Sequence, residues 1–362
     1  MDEIAPFSGS YAADDVQFLL RRLPAGQFVS IDDKEALIQS GRRHYSEMLS
    51  PETLPSARYM QVFDDACAAN LAQMARDCLA LAALIAARRA HEIVLVSLAR
   101  AGTPVGVVLR RLLATVFGRR VVHYSVSIAR DRGVDAVALR HIVRSHAAAS
   151  IVFVDGWTGK GVISRELAQS VAAFNAAHGT SIDGGLYVLS DLAGSAACAS
   201  AVDDYLIPSS ILNATVSGLV SRTVVSSAGQ LHGCVYYEAF APHARSRGCV
   251  ASLTAAAGAL ARAGMPTPGV LDREAAAATS RACLARLQAQ YDVADVNLIK
   301  PGIGEATRVL LRRKPRLLLV RDRDAPAVRH LLLLAQEKNI PVVIDQSLPY
   351  QAVSLIRSAV DG

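Results

Sequence analysis

Aromatic residues are scarce in this 362-residue chain, 5% of the total, with a single tryptophan, Trp157. Long apolar runs are missing as well. The longest uncharged apolar run, CLALAALIAA at positions 78–87, is about half of what a bilayer-crossing helix needs, and Asp77 and Arg88 close it off. It reads as a buried helix, and no membrane partner is expected. The opening residues, MDEIAPFSGS, carry acids where a secretory signal carries bases, so nothing marks export. The six cysteines, at 67, 78, 198, 234, 249 and 283, show no Cys-x-x-Cys spacing and no regular framework. That argues against a cysteine-bound metal and for reduced thiols in a cytoplasm. No tandem repeat is visible.

What is present is a globular composition, 52% hydrophobic and 19% charged, long enough for one large domain or two ordinary ones. The net charge of +6 is uneven: residues 298–362 hold 11 Lys or Arg against 6 Asp or Glu. A basic module with an anionic partner would explain this, and so would a solvated basic face. Residues 60–90 read as a long Ala/Leu-rich helix, and FVSIDDKEALIQSGRRHYSEML before it as an extended segment and a capped helix. Strands EIVLVSL, VVHYSVSIA, SIVFVD and GLYVLSD then alternate with the helical stretches TPVGVVLRRLLATVF, VDAVALRHIVRSHA and GVISRELAQSVAAFNAAHG. Short apolar strands between amphipathic helices predict an α/β fold with a parallel sheet covered on both faces.

Residues 200–250 are irregular, with strand candidates DDYLIP, SRTVV and CVYYEAF, and are expected to form a hood over the sheet. The expected division is 1–255 for the sheet domain with its N-terminal extension and hood, 256–294 for a linker and helix, and 295–362 for a small basic α/β/α unit. The proline-bearing stretch ASLTAAAGALARAGMPTPG ends the first unit. The pattern of the last unit reads helix, strand, helix, strand, helix, the final helix over PYQAVSLIRS.

In an open parallel sheet, ligands bind where strands end and helices begin. VDGWTGKG lies at such a point. Gly156, Gly159 and Gly161 let backbone approach a ligand, and the helix that follows offers unpaired N–H groups, which together suit an anion. A Walker A loop does not fit, because Lys160 is followed by Gly161, and neither does a dinucleotide fingerprint. An acid at the strand tip before a Thr-Gly turn resembles the sugar-phosphate loop of the type I phosphoribosyltransferases. That resemblance implies Asp155 on the ribose hydroxyls of phosphoribosyl pyrophosphate (PRPP), and Gly156, Trp157, Thr158, Gly159, Lys160 and Gly161 around its phosphate. The family has two adjacent acids and a longer spacer, whereas here Gly156 replaces the second acid.

SLARAGTPVGVVLRR, about 55 residues earlier, resembles the same family's pyrophosphate loop. By that likeness Arg100 would pair with the diphosphate while Ala101, Gly102 and Thr103 present amides. Arg130, Asp131 and Arg132 stand where the family has a flexible closing loop, or form a plain surface turn. Transfer of ribose 5-phosphate would need positioning and positive charge around the leaving group. Mg2+ would bridge substrate oxygens, with Asp155 the one side chain able to touch it. Tyr236, Tyr237 and Glu238 are candidates for gripping a nucleobase-like acceptor, or core aromatics.

The tail, KPGIGEATRVLLRRKPRLLLVRD with LLLLAQEKNIPVVID, resembles the RNA-binding domain of Pelota and of the kink-turn-binding ribosomal proteins. Gly302, Glu305 and Arg308 match that motif, with Lys300, Arg312 and Arg313 beside it, so RNA is an expected partner; Gly304 stands where the motif has Asn. The two parts together resemble StiP and its relatives, a bacterial family of stress-response and tellurium-resistance gene clusters whose members carry the label cysteine protease. A thiol protease needs a Cys with a base in reach, and His232-Gly-Cys234 is the close pairing available. Three functions thus stand side by side: a PRPP-dependent transferase with an RNA-binding module, a non-catalytic RNA-binding sensor, and a cysteine protease. A homodimer is left open.

Overall fold

The computed structural model describes residues 7–357 apart from 25, 27, 208–209, 211–212 and 266–270. The acidic start over residues 1–6 and the two prolines Pro266 and Pro268 lie outside the described residues. A seven-stranded sheet forms the centre. Six strands run parallel in the order β1 (Gln17–Leu19), β4 (Val121–Ala129), β3 (Ile93–Ala99), β6 (Ile151–Thr158), β7 (Leu186–Asp191) and β8 (Cys198–Ala201). The two-residue β5 (Gly133–Val134) pairs antiparallel with β4.

The sheet is parallel and buried because its strands are apolar on both faces. In β3, IVLVSL is buried throughout. On one side lie α2 (Ala57–Arg88), α3 (Gly102–Thr115) and α6 (Ser246–Ala263), and their Leu79, Leu109 and Val250 pack with Leu95 and Val154. On the other lie α4 (Ala136–Ser145) and α5 (Val162–His178), whose Leu139, Leu167 and Phe174 meet Val94 and Phe153. Local signals start these helices: Asp135 caps α4 by accepting from the N–H groups of Val137 and Ala138, and Ser56 caps α2. The helix α2 is the one described helix long and apolar enough to cross a bilayer, yet Cys78, Leu79, Leu81, Ala82 and Ile85 on it are fully buried in the protein core.

The N-terminal stretch adds β1 at the sheet edge, β2 (Arg21–Leu23), which pairs with β9 (Gly233–Val235), and α1 (Ile31–Gln39) capped by Ser30. The hood is less regular than its three strand candidates suggest. DDYLIP forms no strand among the described residues, SRTVV contributes a single bridge from Val224 to Gly233, and CVYYEAF gives β9 followed by a 3-10 turn over Glu238–His243.

After α7 (Arg273–Tyr291) comes a second, mixed sheet in the order β10 (Ile299–Pro301), β13 (Ala352–Ile356), β11 (Pro315–Val320) and β12 (Val342–Ile344). The helices α8 (Ile303–Arg312) and α9 (Arg329–Glu337) cover it. The final helix expected over PYQAVSLIRS is a strand instead. All five residues of β13 are buried because the strand is central, bonded to β10 on one side and β11 on the other, and the Ser354 hydroxyl is hidden by donating to Leu317 O at 3.4 Å.

Strand order places the sheet's reversal between β3 and β6: the chain moves from β3 outward to β4 and then returns to β6 on the other flank. The loops after those two strands therefore meet at a crevice. Because α2 supplies so much of the core on that side, Leu79→Ala should lower the unfolding free energy by about 2–5 kcal/mol. Urea unfolding followed by circular dichroism measures it, and a loss under ~1 kcal/mol would mean that the helix is not part of this core.

Candidate functional site

The Arg100 loop and the glycine turn are brought into close contact. A methyl group at Gly102 would lie 2.8 Å from Val154 O and 3.0 Å from the Asp155 carboxylate. Several of the expected gripping groups are occupied elsewhere. Arg100 is 8% exposed, pairs with Glu52 and donates to Val220 O at 2.7 Å. Thr103 Oγ1 bonds Ser125 Oγ at 2.8 Å, and Ala101 is buried in the core. Thr158 Oγ1 donates to Asp191 Oδ1 at 2.5 Å and accepts from Ala193 N at 3.1 Å. Gly156 N donates to Asp155 Oδ1 at 2.8 Å, and Gly161, with φ of +71°, starts α5.

The C-terminal unit covers this crevice. A cavity of about 290 Å3 remains, bounded by Tyr45, Arg130 and Lys160 on one side and by Lys300, Arg308 and Arg313 on the other. Helix α8 makes the closest approach. The Glu305 Cγ lies 3.1 Å from where a Cβ on Gly159 would be, and Arg308 sits over the Trp157 ring at 4.6 Å while pairing with Glu305 at 2.8 Å. Asp204, from the hood, clasps the unit: its carboxylate accepts from Ile303 N at 2.9 Å and Gln351 N at 2.8 Å.

Burial and crowding shift the groups there. Desolvation raises the Asp155 carboxyl to about 6 against the pull of Arg308 and the Gly156 N–H. It lowers Lys160 to about 7, helped by Lys300, although Lys160 Nζ donates to Val296 O at 2.6 Å. Burial would raise Glu305, but Arg308, Lys300 and Lys160 hold it below its ordinary value. Burial and the nearby Arg100 guanidinium bring Arg312 down to about 9. Displaced ionisation inside a cleft marks a functional candidate.

The residues expected to touch RNA thus face inward. Lys300, Glu305, Arg308, Arg312 and Arg313 line the junction, and Gly302, with φ of +87°, backs onto Leu192 and Asp204. The closing loop is also tied down rather than open. Arg130 N donates to the Tyr45 hydroxyl at 2.6 Å, Asp131 N to Glu166 at 2.8 Å, and Arg132 pairs with Glu47 at 3.3 Å. Tyr236 packs edge-on against Phe7, Tyr237 stacks between Phe28 and Phe240, and Glu238 is exposed. Sequence reasoning missed Tyr45, Glu52, Asp204 and Arg222, none of which carries a local motif.

The thiols divide sharply. Cys234 is 0% exposed and burial pushes it to about 12, while the His232 ring turns to Ser127 at 2.8 Å. Strand geometry could have set the two on one face, but packing separates their tasks. Among the described residues no histidine ring is hydrogen-bonded to a thiol. Cys67 on α2 and Cys249 in the first turn of α6 instead share the wall of a groove of about 250 Å3, lined also by Leu71, Met74, Leu206 and Leu253. The contact with Cys67 lowers the Cys249 thiol and raises the Cys67 thiol. The signal available in sequence was RSRGC, a cysteine soon after two arginines where a helix begins.

Residues 9–254 match a family model described as "Tellurite-like stress resistance cysteine protease StiP", and residues 278–358 match one described as "PELOTA RNA binding domain". The chain is 39% identical, over 98% of its length and 96% of the other's, to the protein named "Cysteine protease StiP" of Acinetobacter baylyi. No solved structure matches it. The expectation of phosphoribosyl transfer from PRPP is overturned: the family and the relative are both named for a cysteine protease, a hydrolase and not a glycosyltransferase. The expectation of Mg2+ rested on the same substrate.

Gly304 stands where the RNA-binding motif has Asn, and the junction gives a reason: a Cβ there would lie 2.5 Å from the Trp157 ring. Gly304→Asn should therefore cost about 1–3 kcal/mol through overpacking and move the emission of the sole tryptophan to the red. Trp157→Ala in the same chain should return part of the lost Tm. Unchanged Tm and emission in Gly304→Asn would show that this contact does not hold the two units together.

Proposed function

The chain belongs to the StiP family, and from that premise we propose that it is a thiol-dependent peptide hydrolase whose nucleophile is Cys249. One observation carries the assignment. Of the described thiols, Cys249 alone combines partial exposure, a lowered pKa and a groove beside it. Two features favour the thiolate there, against burial and the Asp64 carboxylate, which oppose it. Cys249 lies in the first turn of the 18-residue helix α6, where the positive end of the helix dipole favours a thiolate, and Arg245 adds charge at the same end. Cys67 then acts where other thiol hydrolases use a histidine.

The chemistry balances with those two groups. The Cys249 thiolate adds to the scissile carbonyl carbon, and the oxyanion takes hydrogen bonds from first-turn amides of α6, which have no partner inside the helix. The C–N bond breaks as the leaving nitrogen takes the Cys67 proton. Water then gives its proton to the Cys67 thiolate and adds to the thioester carbonyl, releasing the acid and restoring both thiols. The apolar groove walls suit an aliphatic or aromatic side chain beside the cleaved bond.

The C-terminal unit is a Pelota-type domain, and we assign it RNA contact on that name and on its basic charge. Since Lys300, Arg308 and Arg312 face the junction, the cations this unit exposes away from it include Arg323 and Arg329.

Iodoacetamide labelling followed by mass spectrometry tests the nucleophile. Cys249 should react first among the six cysteines, with a rate that rises with pH and reaches half its maximum below the ordinary thiol value. Cys67→Ala should move that midpoint upward and slow labelling at neutral pH, by about tenfold for every pH unit that the midpoint climbs. Cys249→Ser should abolish hydrolysis of a fluorogenic peptide library while Cys234→Ser leaves it intact. Full activity in Cys249→Ser would end this assignment.

A further inference from the structure

A side branch of the junction cleft, about 180 Å3, is lined by Lys34, Arg222, Lys300, Arg308, Arg312 and Arg313 against one carboxylate, Glu305. It shares Tyr45, Lys300, Glu305, Arg308 and Arg313 with the larger cavity, where Arg130 and Lys160 add two cations and Asp155 a second carboxylate. These cations arrive from α1, the loop after β4, the turn after β6, the hood, β10 and α8, so no single sequence run explains their convergence. Like charges gathered out of water repel one another. Burial and neighbouring guanidiniums hold Arg222 at about 10, well under its usual value, and Lys300 is lowered too.

The guanidiniums are also aimed. Arg130 and Arg222 lie over the Tyr45 ring at 5.7 and 5.2 Å, Arg222 donates to Tyr45 O at 2.7 Å, and Arg308 is held between Trp157 and Glu305. Among the described residues no hydrogen-bond partner holds the Lys300 ammonium, which takes part only in longer-range attraction to Glu305 and repulsion by neighbouring arginines. Fixed guanidinium forks suit phosphate oxygens. A cleft of this size takes a small molecule rather than a nucleic-acid helix.

We propose that this cleft binds a small polyanion carrying two or more adjacent phosphate groups, held by Lys300, Arg308, Arg312 and Arg313 from the C-terminal unit and by Arg130 and Arg222 from the first. The site is separate from the thiol groove and stands without the hydrolase reading. The phosphates could belong to a free di- or triphosphate compound or to a strand of RNA, and the number of cations in so small a cleft favours the free compound.

The test uses the full chain, Trp157 fluorescence and Tm, with inorganic tripolyphosphate as probe and sulfate and orthophosphate as comparisons at equal ionic strength. Tripolyphosphate should bind saturably, at least tenfold more tightly than sulfate, and raise Tm. Lys300→Gln and Arg308→Gln should each weaken it about tenfold, Arg308→Lys should restore part of the loss, and the exposed control Arg323→Gln should leave it unchanged. Binding no tighter than sulfate overturns the proposal, and so does a wild-type affinity in both cleft variants. A short RNA without a terminal phosphate that competes as strongly as tripolyphosphate overturns the free compound as source. Far-UV circular dichroism and Tm of each variant before ligand addition separate a lost site from a lost fold.

Discussion

The structure turns on the docking of a basic helix face against the carboxyl ends of a parallel sheet. Helix α8 could have shown its cations to water, but instead sets Arg308 on Trp157 and Glu305 against the glycine turn. Asp204 makes this orientation possible. Its carboxylate takes the N–H groups of Ile303 and Gln351, which anchors the start of α8 and the approach to β13 together. A carboxylate at a helix N-terminus is favourable by dipole and by hydrogen bonding. Desolvation opposes it, and the Asp204 carboxyl sits at about 6 as a result.

The thiol groove and the charged cleft are distinct places with a common wall. The N-terminal half of α2 packs Tyr59 and Phe63 among Ile303, Leu310 and Leu331 of the C-terminal unit, and Cys67 and Cys249 border the same cluster. Any change in how α8 and α9 seat against α2 therefore reaches the base of the thiol pair through contiguous side chains. Shared packing by itself is not coupling, because coupling needs two discrete arrangements that each site biases. It does identify α2 as the element through which such coupling would have to pass.

The alternation from β3 to β7 was legible because each strand is a short, largely apolar run and each helix carries a cap or a glycine at its boundary, as Asp135 and Gly161 do. The strand β13 was not legible, because its five residues AVSLI are too few for periodicity to tell strand from helix, and only its central position in the sheet hides the Ser354 hydroxyl. The hood had too few regular elements to read. At the site, the approach of the Arg100 loop to Asp155 followed from strand order, whereas the inward turn of α8 depends on Asp204, almost one hundred residues upstream. The Cys67–Cys249 pair was hidden for the same reason, since it joins residues on two helices far apart in sequence. His232 and Cys234, two residues apart in sequence, instead serve different neighbours.

The glycine turn shows why residue type and position together still leave chemistry open. Gly159 and Gly161 permit close approach, and what approaches them is protein: Glu305, a carboxylate-bearing side chain, at Gly159 and Ser195 at Gly161. Like-charge repulsion would push a phosphate away from that face of the turn. A few residues along α8 the sign of the charge reverses, with Arg308, Arg312 and Arg313 joined by Arg222 and Lys300. An anion entering the junction is therefore drawn past the turn toward the guanidiniums. The distribution of buried charge contributed by the second unit, more than the glycine spacing of the first, decides where this cleft can hold a ligand.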